Sequence, residues 1–166
     1  MLLSLLPTLF VLGLAALAAI GLAQSRRSPP ENAAQRSAAA RILALALVVQ
    51  GFHFTEEALT GFPERLGALL GLPAMPMSFF LIFNVTWLAI WIVSVPALRA
   101  ARRAAFFAAW FLAIAGMVNA VAHPLLAVAT GGYFPGLVSS PFIGAAAAWL
   151  WLRLRKATTL PQNLAR

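Results

Sequence analysis

Long apolar runs separated by short polar segments dominate this sequence. A helix needs about 20 apolar residues to cross the hydrocarbon core of a bilayer. About five runs approach that length, at residues 1–23, 38–59, 77–98, 104–129 and 133–152. We therefore predict an all-α fold, a polytopic transmembrane helix bundle of about five spans. It forms a single domain over residues 1–166, with residues 153–166 as a tail.

Two boundaries of these runs are ambiguous. Residues 1–23 resemble a signal peptide but lack its positively charged N-terminal region, so we expect a retained span. The fifth span is harder to place, because Pro135 and Pro141 both suit the start or a bend of a helix. If the helix begins at Pro141, it is short for a membrane and the residues before it form a surface loop.

The composition also indicates a membrane protein. Hydrophobic residues make up 62% of the chain and charged residues 10%, whereas soluble domains have about 45–50% and about 25%. The absence of cysteine excludes disulfides, zinc fingers and iron–sulfur clusters. The net charge of +8 is in the range of nucleic-acid binding proteins. However, the basic residues form no stripe on a helix, so we exclude nucleic acid as a partner.

The lysines and arginines instead predict the orientation of the chain. All of them except Arg65 lie in or beside the segments that follow the first and third runs, or in the C-terminal tail. Positive residues concentrate in cytoplasmic loops, so we expect these segments in the cytoplasm. Five spans then place the N-terminus outside and the C-terminus inside. The alanine- and arginine-rich composition suggests the inner membrane of a bacterium.

Rare polar side chains inside the apolar runs mark a candidate site. His53, Glu56 and Glu57 share one face of the second run, because positions i, i+3 and i+4 of a helix point the same way. In the fourth run, Asn119 and His123 have the same i, i+4 relation. Ionisable residues within spans usually face a bundle interior or a water-filled cavity. We therefore expect the two groups to meet.

Other polar groups fall at the same predicted depth. Asn84 of the third run and Tyr133 of the glycine-rich loop after the fourth run both lie toward the outer face. Tyr133 is a candidate proton donor or substrate contact. Gln50, about one turn before His53, is a further candidate. Topology and polarity thus agree on a site in the extracytoplasmic half of the membrane.

These residues resemble the HXXEE family of integral membrane proteins. Three motifs of that family are matched, at residues 53–57, at Asn119 and His123, and at Tyr133, Pro135 and Gly136. In the third motif, G-x-x-Y-x-P-G, Thr130 stands at the position of the first glycine. The resemblance implies a membrane enzyme and supplies no defined substrate or reaction.

Two chemistries suit the cluster. In the first, His53, Glu56 and His123 bind one divalent metal ion (zinc, iron or manganese), and Glu57 is the general base. Two glutamates are too few for a di-iron cage, which draws on about four. In the second, no metal is bound. The histidines act as acid and base, a glutamate orients one of them, and Asn119 stabilises an oxyanion.

The sequence therefore predicts an integral membrane enzyme, a hydrolase or transferase. Its substrate would be a lipid or lipid-linked molecule that reaches the site from the outer leaflet. Two alternatives remain open. Intramembrane glutamate and histidine also occur in transporters and proton-coupled proteins. The polar residues could also only hold two spans together, although interhelical hydrogen bonds average about 0.6 kcal/mol. The oligomeric state is not indicated.

Overall fold

The computed structural model describes residues 2–160, with the side chains of Leu2 and Ser4 left out. This range is helical apart from its connecting loops and one isolated backbone bridge, which confirms the predicted all-α class for these residues. Its α-helices are α1 (Leu2–Ser25), α2 (Ala33–Leu59), α3 (Phe62–Leu70), α4 (Met77–Arg99), α5 (Arg103–Thr130) and α6 (Ser140–Ala157). A short 3-10 turn, Pro30–Asn32, precedes α2.

Within the described range, four helices (α1, α2, α4 and α5) are long and apolar enough to cross a membrane. They correspond to the first four predicted spans, and the chain is compatible with a multi-pass membrane protein. The helix α6 has 18 residues, and its length of about 27 Å is slightly below a hydrocarbon thickness of about 30 Å. It begins at Ser140, close to the later of the two predicted starts, so residues 131–139 form a loop.

The helix α3 lies between the second and third predicted spans, where the apolar pattern predicted no helix. Local sequence explains its ends. Pro63 occupies the first turn, where its missing N–H removes no helical hydrogen bond, and the acidic Glu64 favours the same end. Gly71 adopts the left-handed conformation that ends the helix.

The predicted tail begins too early. The helix α6 continues to Ala157, because Leu154 and Ala157 in its last turn are fully buried in the bundle. Residues 158–160 follow it as extended chain. Residues 161–166 of the predicted tail lie outside the described residues.

Four helices form a ring. Both α4 and α6 pack against α2, and the same two helices pack against α5. Consequently α2 and α5 lie diagonally opposite each other and face the middle of the ring. The helix α1 packs on α5 from outside. This arrangement turns the polar faces of α2 and α5 toward one another.

The basic segments meet at one end of the ring. Arg26 donates a hydrogen bond to Thr158 Oγ1 at 2.8 Å, and the backbones of Arg27 and Thr159 pair with each other. The buried Arg36 donates to the carbonyl oxygen of Arg99 at 3.3 Å. The segments that precede α2 and follow α4 and α6 are thus joined at the end opposite the loop of residues 131–139.

Candidate functional site

The loop of residues 131–139 covers the other end of the ring, where the predicted polar residues converge. His53 on α2 and His123 on α5 are 0% and 2% exposed, and their ring centroids are 4.8 Å apart. Phe134 and Pro135 of the loop are fully buried beside them. The two histidines therefore lie in the centre of the bundle, and the loop covers them at this end of the ring.

Glu57 lies between the two histidines. Its Oε1 atom is 3.6 Å from Nε2 of His53 and 3.4 Å from Nε2 of His123. The side chain is buried, and none of the lysines and arginines that the structure describes forms an ion pair with it. Each of the three residues offers one ligand atom, and these atoms all lie within 4.8 Å of one another. This His–Glu–His cluster could hold a metal ion.

Glu56 faces the loop instead. It accepts hydrogen bonds from the Tyr133 hydroxyl at 2.7 Å, from the backbone N–H groups of Val138 and Ser139 at 3.0 and 2.8 Å, and from the Ser139 hydroxyl. Partial burial raises the pKa of the Tyr133 hydroxyl above its usual value, which keeps this group a proton donor to the carboxylate. Glu56 thus positions the loop.

The ligand set expected from the sequence is corrected on this point. The structure brings Glu57 to the histidines, in the position that was assigned to Glu56. Successive side chains on a helix point about 100° apart, so the two glutamates diverge and only one reaches the centre of the ring. Because Glu57 belongs to the cluster, it does not stand apart from it as a general base.

Hydrogen bonds determine which nitrogen of each histidine carries the hydrogen. Nδ1 of His123 is 2.6 Å from the carbonyl oxygen of Pro135, and a carbonyl only accepts, so Nδ1 donates. Nδ1 of His53 is 2.8 Å from the Ser139 hydroxyl, whose own hydrogen goes to Glu56. That Nδ1 therefore also donates. In both neutral rings Nε2 keeps its lone pair, on the side of the shared carboxylate.

Two asparagines border the cluster. The amide nitrogen of Asn119 lies 3.1 Å from Nε2 of His53 and donates to it. Asn84 on α4 is buried and lines a cavity that also reaches His123. Gln50 is buried on α2 without a hydrogen bond to either histidine. Asn119 is thus part of the site by direct contact, and Asn84 borders it across the cavity.

A cavity of about 540 Å³ opens beside the cluster. Its walls come from α1, α2, α3, α4 and α5 and consist mostly of aliphatic and aromatic side chains. Glu57, Asn84, Asn119 and His123 place polar groups on this wall. The cavity was not predictable from the sequence, because its shape depends on how α1 packs against α5.

Sequence reasoning also missed Ser139 and the carbonyl group of Pro135. A serine after a valine in a loop carries no distinguishing signal, and a backbone carbonyl carries none at all. Gly136 was noted only as part of a motif. In the structure a Cβ atom at Gly136 would lie 2.5 Å from Cε1 of His123 and 2.9 Å from Cε1 of His53. The loop backbone can therefore approach the two histidines this closely only because Gly136 has no side chain.

Searches against protein-family models, curated proteins and solved structures find no match for this chain. Its function has to follow from the chemistry of the site. Two imidazole nitrogens and a carboxylate oxygen are ligands that zinc, iron and manganese accept. The same groups, without a metal, can act as acid and base.

Proposed function

We propose that this chain is an integral membrane enzyme in which His53, Glu57 and His123 bind one divalent ion of zinc, iron or manganese. It hydrolyses a lipid or lipid-linked substrate or transfers a group from it. The observation that carries the proposal is the spacing of the three ligand atoms. Ligands bound at about 2.0–2.1 Å on a tetrahedron are about 3.3–3.4 Å apart. The two histidine–glutamate distances are 3.4 and 3.6 Å.

The charge of Glu57 supports a cation at this position. A buried carboxylate is strongly unfavourable unless it is paired or bound to a metal. Two neutral histidines do not supply a positive charge, whereas a divalent ion does. Neither Lys nor Arg lines the adjoining cavity as the structure describes it, so the metal would be the counter-charge.

The orientation of the histidines supports the same conclusion. Metal-binding histidines commonly donate their second ring N–H to a carbonyl oxygen or a carboxylate, which fixes the ring for the metal. His123 donates to the Pro135 carbonyl, and His53 donates through Ser139 toward Glu56. A metal at the cluster would activate water or polarise a substrate carbonyl. Asn119 is close enough to hydrogen-bond the oxygen that gains charge.

We also propose that the chain belongs with the HXXEE-type membrane proteins and has five spans, with α6 as the fifth. The N-terminus would lie outside and the C-terminus in the cytoplasm. The meeting of the basic segments at the end opposite the site supports this orientation, because cytoplasmic ends carry the excess of positive charge. The site would then face the outer side of a bacterial inner membrane.

Metal content of the purified protein tests the proposal. Wild type in detergent, prepared without chelators, is compared with Glu57→Gln and with Glu64→Gln, in which the same change is made at an exposed position of α3. We expect about one metal ion per chain in wild type and in the control, as for a mononuclear site, and loss of the metal in Glu57→Gln. Size-exclusion and circular dichroism profiles confirm that the variant folds. Failure of wild type to bind zinc, iron(II) or manganese, even when the ion is supplied, would overturn the metal centre.

One contact favours a second candidate. Asn119 donates to the lone pair of His53 that a metal would need. Without a metal, His53 and His123 would act as acid and base, with Glu57 between them. Absence of metal in the experiment above, together with activity lost in both His53→Ala and Glu57→Gln, would select this mechanism.

A further inference from the structure

The cavity beside the cluster reaches the outer surface of the helices. Leu9 on α1, Phe79 on α4 and Leu125 on α5 line it and are also exposed on the outside of the bundle. In a membrane that surface faces lipid tails. Its volume of about 540 Å³ falls in the range of about 300–1,000 Å³ that is typical of small-ligand pockets. The cavity thus connects the hydrocarbon of the bilayer with His123 and Glu57.

Two polar residues of this cavity, Thr8 and Asn84, are not used by the proposed chemistry, and Asn84 is the more deeply buried of the two. It is 7% exposed and lines the cavity wall. Its amide forms no hydrogen bond with the part of the chain that the structure describes. An amide that faces an apolar space without a partner is unfavourable. An occupant with a hydrogen-bonding group at the level of Asn84 would satisfy it.

The chemistry of the wall also restricts that group. Among the described residues that line the cavity there is neither a lysine nor an arginine. A phosphate there would lie beside the Glu57 carboxylate without a balancing side-chain cation. A neutral ester fits better, because its carbonyl oxygen accepts from an asparagine amide and its acyl chain suits the aliphatic wall.

We infer that the cavity binds the acyl chain of a neutral ester lipid, and that Asn84 hydrogen-bonds the ester carbonyl beside the His–Glu–His cluster. The inference rests on the proposed function, which it extends to a substrate class. In hydrolysis, water would add across the acyl C–O bond and yield a carboxylic acid and an alcohol. The chain of the ester would enter sideways from the bilayer, between α1 and α4.

A photoactivatable monoacylglycerol tests the binding of the chain. The probe carries a diazirine in mid-chain and a terminal alkyne, and it is added to the full-length protein in phosphatidylcholine vesicles. We expect crosslinks in residues 5–12, 79–84 and 118–129, where the cavity wall lies. Val118→Trp should fill the cavity and lower the labelling several-fold. Val121→Trp, on the same helix but 60% exposed and outside the wall, should not.

A second probe tests Asn84. An alkane of equal length with the same diazirine and alkyne lacks the ester. Wild type should label more with the ester probe than with the alkane probe, and Asn84→Leu should lose that preference. Thr86→Leu, on the exposed side of α4, should keep it.

Several results would overturn the inference. Labelling spread evenly over the exposed outer faces would mean ordinary surrounding lipid. Absence of labelling in the cavity wall would mean that no acyl chain enters it, and stronger labelling by a prenyl phosphate probe would mean another lipid class. Metal content measured in parallel separates these failures from failure of the metal centre, because Val118→Trp leaves His53, Glu57 and His123 in place.

Discussion

Each buried histidine donates its Nδ1 hydrogen to the loop that covers the site. The two Nε2 lone pairs are thereby left on the same side, next to one carboxylate oxygen. A rotation of either ring would break a hydrogen bond at 2.6–2.8 Å. The loop therefore sets the chemistry of the histidines as well as shielding them.

Ser139 is expected to control metal affinity without touching the metal. Ser139→Ala removes the acceptor of the His53 Nδ1 hydrogen and the link to Glu56. Losses of such supporting partners weaken metal binding about 10–100-fold. Ser140→Ala, which removes a neighbouring hydroxyl bonded only to the Leu137 carbonyl, is the control. Competition with a coloured zinc chelator measures both, and equal affinities in the two variants would contradict the role of Ser139.

Gly136 is expected to tolerate no side chain. Gly136→Ala would place a methyl group 2.5 Å from His123 Cε1, at a backbone φ of +85°, and the left-handed conformation alone costs about 1–2 kcal/mol. We expect loss of bound metal and a lower unfolding temperature in detergent. Gly132→Ala, in the same loop with nothing within 4 Å of the added atom, should resemble wild type. A Gly136→Ala protein with full metal content would show that the loop moves away easily.

Which residues form the site was largely predictable from spacing on a helix. His53 and Glu57, and likewise Asn119 and His123, are four positions apart and meet as expected. The choice between the two glutamates was not predictable. Positions i+3 and i+4 lie about 60° and 40° to either side of His53 on the helix, and only the packing of α5 decides which side faces the partner histidine.

At the scale of the elements, α5 and α6 depend on glycine for their contact. A Cβ atom on Gly144 would lie 2.3 Å from Cβ of Ala120, and one on Gly116 would lie 2.7 Å from Cβ of Ala147. Small residues at these positions let two helix backbones approach closely in lipid. The position of α6, and with it the end of the covering loop, follows from this contact.

Gly144→Ala should therefore push the two helices apart. Overpacking of this kind costs about 1–3 kcal/mol. Gly51→Ala, in α2 with nothing within 4 Å, should be neutral or stabilise the helix by about 0.5–1 kcal/mol. Unfolding followed by circular dichroism in mixed detergent micelles compares the two. Equal stabilities would indicate that α6 is free to shift.

The element boundaries show where sequence reasoning succeeds and where it stops. The second to fourth runs coincide with α2, α4 and α5 to within about five residues. An apolar run of that length predicts a helix, because a single segment in a bilayer can satisfy its backbone hydrogen bonds only as a helix. The short helix α3 was missed, since nine residues that include charged ones lack the length of a span. The start of α6 was ambiguous because proline permits both a loop and a first turn.

At the scale of the whole molecule, the diagonal pair α2 and α5 carries the site while α4 and α6 hold them in place. Charged groups are separated along the direction of the helices, with the basic segments at one end of the bundle and the His–Glu–His cluster toward the other. The proposed orientation follows from this polarity.

The chain contains no cysteine, so single introduced cysteines report orientation directly. Gly132→Cys lies in the covering loop and Ala100→Cys lies between α4 and α5, and both positions are exposed. A membrane-impermeant maleimide should label Gly132→Cys in intact spheroplasts and Ala100→Cys only after lysis. The opposite pattern would mean that the chain is inserted the other way round.

The covering loop has one more consequence, for the movement of protons. His53 is joined through the hydroxyl of Ser139 and the carboxylate of Glu56 to the phenol of Tyr133, which is 41% exposed. Both hydroxyls donate to Glu56, so these hydrogen bonds connect the buried His53 with a carboxylate at the exposed face of the loop. In the proposed enzyme, a proton released at His53 would pass through Ser139 to Glu56 and from there to water, while the substrate would occupy the cavity on the other side of the cluster. The substrate and the released proton would thus use separate routes.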